Sequence, residues 1–425
     1  KYTSNIFILL STKERNGLMN AKDKKIIGLY SSNLFIYLLA GGIYYGIFVV
    51  FLSSVKGFST DEISLIVSIP PLIMLLVSPL WGKIIDKSKR LMHLTKLVTI
   101  ANAITIIVLV FINNFWIFFG VTIVGSCLYA PSTSLMSEYL LAIEKKTKYP
   151  FGKVRVWGAI GYGISGLISP VFINLWGTTG ALLICGIIML STIVILQFIP
   201  ELTTGENAVE VNANDNLDVT ENNVNAKEIL FSLLKNKAFL IQLFATNVIM
   251  ATCNSASNYS IQVILEKLGC PTSLISTVPF IMIVMEILLL FIFHKLPFAK
   301  KSYLATFTAL IILCFRWYFM AIIPNYMFLL FLMIVHGVVV GIIMPVQNNL
   351  IADLVPTNQQ STAFLFEVVV VPTILSSILN LFTGYLSSYT GISIFGYTYL
   401  ALSIVALIMI IPSFLRESRR KKKVC

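Results

Sequence analysis

The fold is decided by one polar stretch, ELTTGENAVEVNANDNLDVTENNVNAKE, at residues 201–228. This stretch holds seven acidic residues against one lysine and is rich in asparagine, which is typical of a solvated linker. Long apolar runs stand on both sides of it. The chain is therefore expected to consist of two apolar halves joined by a polar connection.

The apolar runs are long enough to cross a membrane, which takes about 20 helical residues. Only 12% of the chain is charged, whereas soluble domains carry roughly 25% charged residues, so a soluble fold is excluded. Six runs precede the linker and six follow it. The predicted spans are 28–55, 60–82, 93–112, 115–142, 152–176, 179–200, 237–266, 272–294, 302–322, 326–352, 359–388 and 391–414.

The basic residues indicate the orientation, because Lys and Arg are enriched in cytoplasmic loops. With the N-terminus inside, the external loops hold only Lys56 and Lys267. The sequence thus predicts an all-α polytopic protein of the cell membrane, with 12 transmembrane helices in two six-helix halves and both termini cytoplasmic. The net charge of +12 does not indicate nucleic acid binding, since the basic residues lie in separate short loops.

Five segments follow from these spans. They are a cytoplasmic extension (1–27), an N-terminal bundle (28–200), the linker (201–228), a C-terminal bundle (229–415) and a basic tail (416–425). The extension lacks the pattern of a cleavable signal peptide, and Met19 is an alternative start. Two repeats of six helices are typical of secondary transporters, which bind solute between the halves.

Six ionisable residues lie inside the apolar spans, namely Glu138, Arg155, Glu286, Arg316, His336 and Glu367. A charge at the bilayer centre costs about 3 kcal/mol on insertion scales. We therefore expect these side chains to line a pathway or to pair with one another. The sequence contains no nucleophile elbow, P-loop, cysteine pair or metal-ligand spacing, so neither an enzyme nor a cofactor or metal site is predicted.

The loop after the second span reads GKIIDKSKR at residues 82–90. It resembles the G-x-x-x-D-[RK]-x-x-[RK] loop of the major facilitator superfamily, which latches one conformational state in that family. The resemblance implies this role for Gly82, Asp86, Lys87 and Arg90. An ordinary positively charged cytoplasmic loop is the alternative.

A second stretch, FGKVRVWGAIGY at residues 151–162, resembles the YGRxRxWGSxG(Y/F/W) segment of the lactose permease-like branch of oligosaccharide:proton and nucleoside:proton symporters. The resemblance implies that Arg155 binds the solute, that Tyr162 stacks on its ring and that Glu138 is the partner of Arg155. Arg155 and Tyr162 are two helical turns apart and share a face. The alternatives are that Arg155 anchors the span end and that Glu138 lies near the membrane surface.

In the second half, Glu286, Arg316 and His336 fall in three successive spans. The same branch carries Glu, Arg and His there, which implies a role in proton coupling. Glu286 is the first candidate, because its protonation would change between apolar surroundings and the neighbourhood of Arg316. His336 is the second, since histidine titrates near neutral pH without perturbation. A purely structural ion pair of Glu286 and Arg316 is the alternative.

The chain departs from lactose permease in two places. Val339 stands where that protein has a carboxylate, and the seventh span is polar but uncharged. From that span Asn254, Asn258 and Gln262 are predicted to bond the solute. Glu367 is predicted to be a gate or structural charge.

These features predict proton-coupled symport of a small polar solute, such as a sugar, glycoside or nucleoside, by alternating access. The expected partners are this solute, protons and the lipid bilayer, and the chain is expected to act as a monomer. A drug or metabolite exporter is one alternative, because the segment 41–46 (GGIYYG) suits an apolar cavity. A passive facilitator is another, because of Val339.

Overall fold

The computed structural model of the protein describes residues 20–88, 90–201, 235, 237–293, 296, 301–356 and 359–422. Within these ranges every regular element is helical. The helices, in chain order, are α1 (Ala21–Val50), α2 (Thr60–Lys87), α3 (Leu91–Phe111), α4 (Phe115–Tyr129), α5 (Ser132–Thr147), α6 (Phe151–Gln197), α7 (Lys237–Ser255), α8 (Ile261–Lys267), α9 (Thr272–Ile275), α10 (Val278–Ile292), α11 (Ser302–Ile322), α12 (Tyr326–Leu354), α13 (Gln360–Leu365), α14 (Val371–Thr390) and α15 (Ser393–Lys422).

Three π-helical turns join or extend these helices: Phe51–Val55 after α1, Ala256–Ser260 between α7 and α8, and Phe366–Val370 between α13 and α14. Such turns are rare and occur frequently at functional sites. The predicted linker, apart from its first residue, and the predicted extension up to residue 19 lie outside the described residues.

Eleven helical segments of the described residues are long and apolar enough to cross a membrane, which confirms the all-α membrane fold. The longest segment, α6, has 47 residues and contains Gly177 at φ 68° and ψ 177°. This left-handed backbone conformation favours glycine, which has no Cβ. The helical path is interrupted there, between the predicted spans 152–176 and 179–200.

Side chains at the helix ends satisfy backbone groups that the helices leave free. The Asn20 carboxamide accepts from the Asp23 N–H at the start of α1. Ser59 and Glu62 form a reciprocal capping box at the start of α2. At the end of α3, the Lys56 ammonium donates to the Val110 carbonyl, 2.8 Å away, so one of the two basic residues of the predicted external loops closes a helix end.

Glycines let the helices of each half approach closely, as is common in membrane bundles. A Cβ at Gly161 of α6 would meet the backbone of Phe35 on α1. A Cβ at Gly337 of α12 would lie 3.0 Å from the Glu286 backbone nitrogen on α10. The second contact places the helix that carries His336 directly against the helix that carries Glu286.

The bundle has two ends, which we distinguish by their loops. The basic end carries Ser88, Arg90 and the loop 148–150, and the opposite end carries loops 56–59, 112–114 and 268–271. The described hydrogen bonds between the halves lie toward the opposite end. There the Tyr259 hydroxyl donates to the Thr60 carbonyl at 2.7 Å, and the Gln262 amide donates to the Tyr45 carbonyl at 2.9 Å.

A glycine contact strengthens this closure, because Gly384 of α14 packs against Ser64 of α2. At the basic end, Asp86, Lys87 and Arg90 of the loop motif are exposed, and a Cβ at Gly82 would have no neighbour within 4 Å. The halves are therefore closed together at the opposite end, while the loop motif lies free of close packing at the basic end.

Candidate functional site

A cavity of about 440 Å³ lies among α1, α2, α3, α4 and α6 of the first half, and α7 with its π turn adds Asn258 from the second half. None of the described residues that line it is charged. Its polar lining consists of hydroxyl and amide groups from Tyr37, Tyr44, Tyr45, Asn102, Thr105, Thr122, Ser126, Tyr129, Tyr162 and Asn258. The cavity therefore suits an uncharged ligand that has both apolar faces and hydrogen-bonding groups.

The α1 wall of the cavity follows from helical spacing, because Tyr37, Gly41, Tyr44 and Phe48 recur every three or four residues on one face. The rings of Tyr44 and Phe48 stack with their centroids 4.6 Å apart. Gly41 has no neighbour within 4 Å of an added Cβ, which leaves open space between these aromatic side chains.

Asn102 lines the cavity and ties two neighbouring hydroxyl groups together. Its side-chain nitrogen donates to the Tyr37 hydroxyl and to the Ser132 hydroxyl, each at 3.1 Å. Its carbonyl oxygen is buried and has no hydrogen-bond partner among the described residues. An unsatisfied buried acceptor costs free energy, and the tight packing around this oxygen leaves it out of reach of a ligand in the cavity as the side chains stand.

Two residues that the sequence analysis assigned to solute binding, Tyr162 and Asn258, line this cavity. Glu286 does not line the cavity, but its carboxyl is close enough to Tyr162 for an electrostatic interaction. This position follows from the packing of α10 on α6. Ile283, one turn before Glu286, is the neighbour that a Cβ at Gly163 would meet at 3.3 Å.

Arg155 and Glu138 do not line the cavity. Arg155 is exposed and lies on the α6 face of Tyr162, about 10 Å nearer the basic end at the 1.5 Å rise of a helix. The described contact of its guanidinium is with the Phe151 ring, 6.0 Å away, and not with Glu138, which is half-buried. The predicted pairing of the two side chains is not formed in this conformation.

Arg316 is 1% exposed and lies inside the second half. Its two terminal nitrogens contact the Cys253 sulfur at 3.9 Å and the Met333 sulfur at 3.8 Å. The guanidinium also stacks over the Trp317 ring at 4.0 Å. None of these described partners is a carboxylate.

His336 is buried close enough to Arg316 for an electrostatic interaction. Glu286, in contrast, lies on the face of α10 that packs against α6, where it interacts with Tyr162. Two of the three predicted coupling residues are thus neighbours, and the ion pair of Glu286 with Arg316, which was the structural alternative, is absent from the contacts of the described residues.

The remaining predicted residues have other surroundings. Gln262 bonds the Tyr45 backbone between the halves, and Asn254 is half-buried on α7 without lining the cavity. Val339 is fully buried. Glu367 is buried and bonded to Thr246, which is a hydroxyl partner and not a basic residue.

Tyr37, Asn102 and Tyr129 were not predicted from the sequence, and Tyr44 and Tyr45 were named only for the exporter alternative. The available signal was the aromatic spacing along the first span. Asn102 and Tyr129 carried no such signal, because their role depends on which helices meet in space.

Comparisons with known proteins agree with this architecture. The family model described as the MFS_1 like family matches residues 29–371. The chain is 23% identical over 352 residues to the uncharacterized transporter YwbF of Bacillus subtilis (strain 168), which covers 82% of this chain and 81% of YwbF.

Two solved structures show a similar fold. The nucleoside transporter NupG has a TM-score of 0.74 and 14% identity, covering 92% of this chain and 98% of NupG. A bacterial homologue of the human lysosomal transporter Spinster, in an inward-facing and occupied conformation, has a TM-score of 0.70 and 10% identity, covering 93% of this chain and 96% of that chain.

Proposed function

The chain belongs to the MFS_1 like family of multi-pass membrane transporters, and from this premise we propose that it carries a small neutral solute by alternating access, in symport with protons. The solute is a sugar, a glycoside or a nucleoside. The protein acts as a monomer in the plasma membrane, with twelve spans and with both termini and the basic end cytoplasmic. The break at Gly177 supports the count of twelve, because it divides α6 into two segments.

The observation that carries this proposal is the uncharged cavity lined by five tyrosines and by Asn102. Aromatic rings provide apolar faces for a sugar or base, and phenolic and amide groups provide hydrogen bonds. The tyrosine hydroxyls and the Asn258 amide of the lining give places for hydrogen bonds to a solute hydroxyl or amine. A site built to bond such a group discriminates strongly against analogues that lack it.

The closed opposite end supports an alternating mechanism in which this conformation opens to the cytoplasm. The halves 28–200 and 229–415 would rock about their contact, joined by the linker 201–228. In the other state, the loop motif of Gly82, Asp86, Lys87 and Arg90 would latch the basic end. Arg155 and Glu138 would then contact the solute on its route between the cavity and the cytoplasm.

Glu286 supports the coupling of solute to protons, because it stands beside Tyr162 at the contact of the two halves. A proton taken up by Glu286 changes the charge next to the cavity when solute is bound. Arg316 and His336, which neighbour each other in the second half, would modulate the proton at Glu286 as α10 moves.

Export of an apolar drug or metabolite is the second candidate. It is favoured by the apolar part of the cavity lining, which includes Phe48, Val67 and Met74.

Nucleosides are the first solutes to test for symport, because NupG, whose fold is similar, is a nucleoside transporter.

Uptake into vesicles under an imposed pH gradient separates the candidate functions. Accumulation of a nucleoside or sugar together with inward proton flow supports symport, whereas equilibration without accumulation indicates a facilitator. Outward movement of an aromatic drug indicates export. Candidate solutes are found first by thermal shift, since a ligand that binds only the folded protein raises its melting temperature.

Replacing Tyr162 with leucine is expected to weaken solute binding about tenfold, because stacking of a ring on an aromatic side chain is worth about 1–3 kcal/mol. Tyr162→Phe keeps the ring and is expected to bind nearly as tightly as the wild type. Binding is measured by the dependence of the thermal shift on solute concentration. Tyr389→Leu, at an exposed tyrosine of α14, is the matched control. Equal affinity of the leucine variant and the wild type would exclude stacking on Tyr162.

A further inference from the structure

Glu367 is a carboxyl group buried inside the second half. It is 1% exposed and lies in the π turn Phe366–Val370 between α13 and α14. It does not line the solute cavity. Its location between two helices of one half separates it from Glu286, which faces the other half.

The surroundings of Glu367 are neutral in the described part of the chain. Thr246 of α7 and Gln347 of α12 are the polar side chains that face it. The titratable groups on these two helices are Lys237, Cys253, Tyr326, His336 and Asp353, and none of them is among the described contacts of the Glu367 carboxyl. An ionised carboxyl here would be a buried charge without a counter-charge, which is costly.

The hydrogen bonds of Thr246 also favour a protonated Glu367. The Thr246 hydroxyl oxygen lies 2.8 Å from a Glu367 carboxyl oxygen and 2.9 Å from the Gln242 backbone carbonyl oxygen. A threonine hydroxyl has a single proton to donate. If Glu367 were ionised, both neighbours would be acceptors and one of the two short contacts would lack a proton.

We propose that Glu367 holds a proton in this conformation and is a second proton-binding site of the protein. The carboxyl O–H donates to the Thr246 hydroxyl, which in turn donates to the Gln242 carbonyl. Every short contact then contains one proton, and no buried charge remains. Separation of α7 from the π turn would break these two hydrogen bonds and let water reach the carboxyl. The proton would then be released.

Infrared spectroscopy of the purified protein, without solute or gradient, tests the site directly. The wild type is expected to show the carbonyl band of a protonated carboxyl at neutral pH, and Glu367→Gln is expected to lose it. Glu286→Gln is the matched control and should keep this band. Thr246→Val removes the hydrogen-bond partner and should shift the band. If the wild type and Glu367→Gln have the same carboxyl bands, the proposal is wrong.

Thermal stability provides an independent measurement. The side-chain amide introduced by Glu367→Gln can donate to Thr246 as the carboxyl O–H does, so this variant is expected to fold and to melt close to the wild type at low pH. A carboxyl that is protonated when folded and ionised when unfolded makes the wild type lose stability as pH rises. The variant should lose less stability between pH 5 and pH 8. Parallel pH profiles would contradict the bound proton.

The consequence for transport rests on the proposed function. Solute exchange by Glu367→Gln is expected to continue but to depend less on pH than exchange by the wild type. If the wild type transports no tested solute, the proposed function fails while the infrared band still decides the proton site. If the band is absent, the proton site fails while transport by the wild type still decides the function.

Discussion

Replacing Glu286 with glutamine is expected to abolish solute accumulation driven by a pH gradient, while solute still equilibrates across the membrane. Glutamine keeps the shape of the side chain and its hydrogen-bonding capacity but cannot release a proton. Because Glu286 interacts with Tyr162 at the cavity, loss of its titration uncouples the proton from the solute. The measurement compares accumulation under a pH gradient with solute exchange in the absence of a gradient.

Asp353→Asn is the control for this experiment, since Asp353 is an exposed carboxylate of the same half. It should leave both accumulation and exchange unchanged. Normal accumulation by Glu286→Gln would show that Glu286 does not carry the coupled proton. Loss of exchange as well as accumulation would instead indicate that Glu286 binds the solute.

Replacing Gly384 with leucine is expected to open the opposite end of the bundle. A Cβ at this position would meet Ser64 and would lie 2.8 Å from the Tyr259 hydroxyl, which bonds the Thr60 carbonyl. Overpacking a closely packed contact costs about 1–3 kcal/mol. The closed state should therefore lose about tenfold or more in population relative to the open state, at 1.4 kcal/mol per factor of ten.

Cys270 reports this opening, because it lies in the loop 268–271 at the opposite end and is 6% exposed. Burial raises the pKa of its thiol to about 11, so little thiolate is present at pH 8 and maleimide labelling should be slow. In a background that retains only Cys270, Gly384→Leu is expected to label about tenfold faster than its parent, in proportion to the gain in the open state.

The matched control is Gly120→Leu, because a Cβ at Gly120 has no neighbour within 4 Å. Its labelling rate should equal that of the parent. An unchanged rate in Gly384→Leu would show that this glycine contact does not hold the opposite end closed. Faster labelling that is accompanied by loss of the folded protein in a thermal melt would indicate general destabilisation.

The membrane fold could be predicted because it depends on local composition. A span needs about 20 apolar residues wherever it packs, and the loop motif at residues 82–90 is continuous in sequence. Tyr162 and Asn258 lie at the cavity, and their role in solute binding stays a prediction. The family assignment is confirmed by the match over residues 29–371.

The pairing of charges could not be predicted in the same way. Glu138 and Arg155 were expected to pair because they lie in neighbouring spans, and an ion pair of Glu286 with Arg316 was the alternative to their role in proton coupling. The rotation of each helix about its axis decides which side chains face each other, and this rotation depends on interhelical packing. The glycine contacts of α10 turn Glu286 toward Tyr162, while the described contacts of Arg316 are with sulfur atoms and an aromatic ring.

The sequence by itself determined that this protein is a helical membrane transporter, because hydropathy and a continuous motif are local properties of the chain. The tertiary structure decided where the cavity lies, that Asn102 bonds the Tyr37 hydroxyl at its wall and that Glu367 is bonded to a hydroxyl. These features join α1 to α3 and α7 to the π turn after α13, which lie far apart in sequence. Their physical cause is the packing of helices against one another.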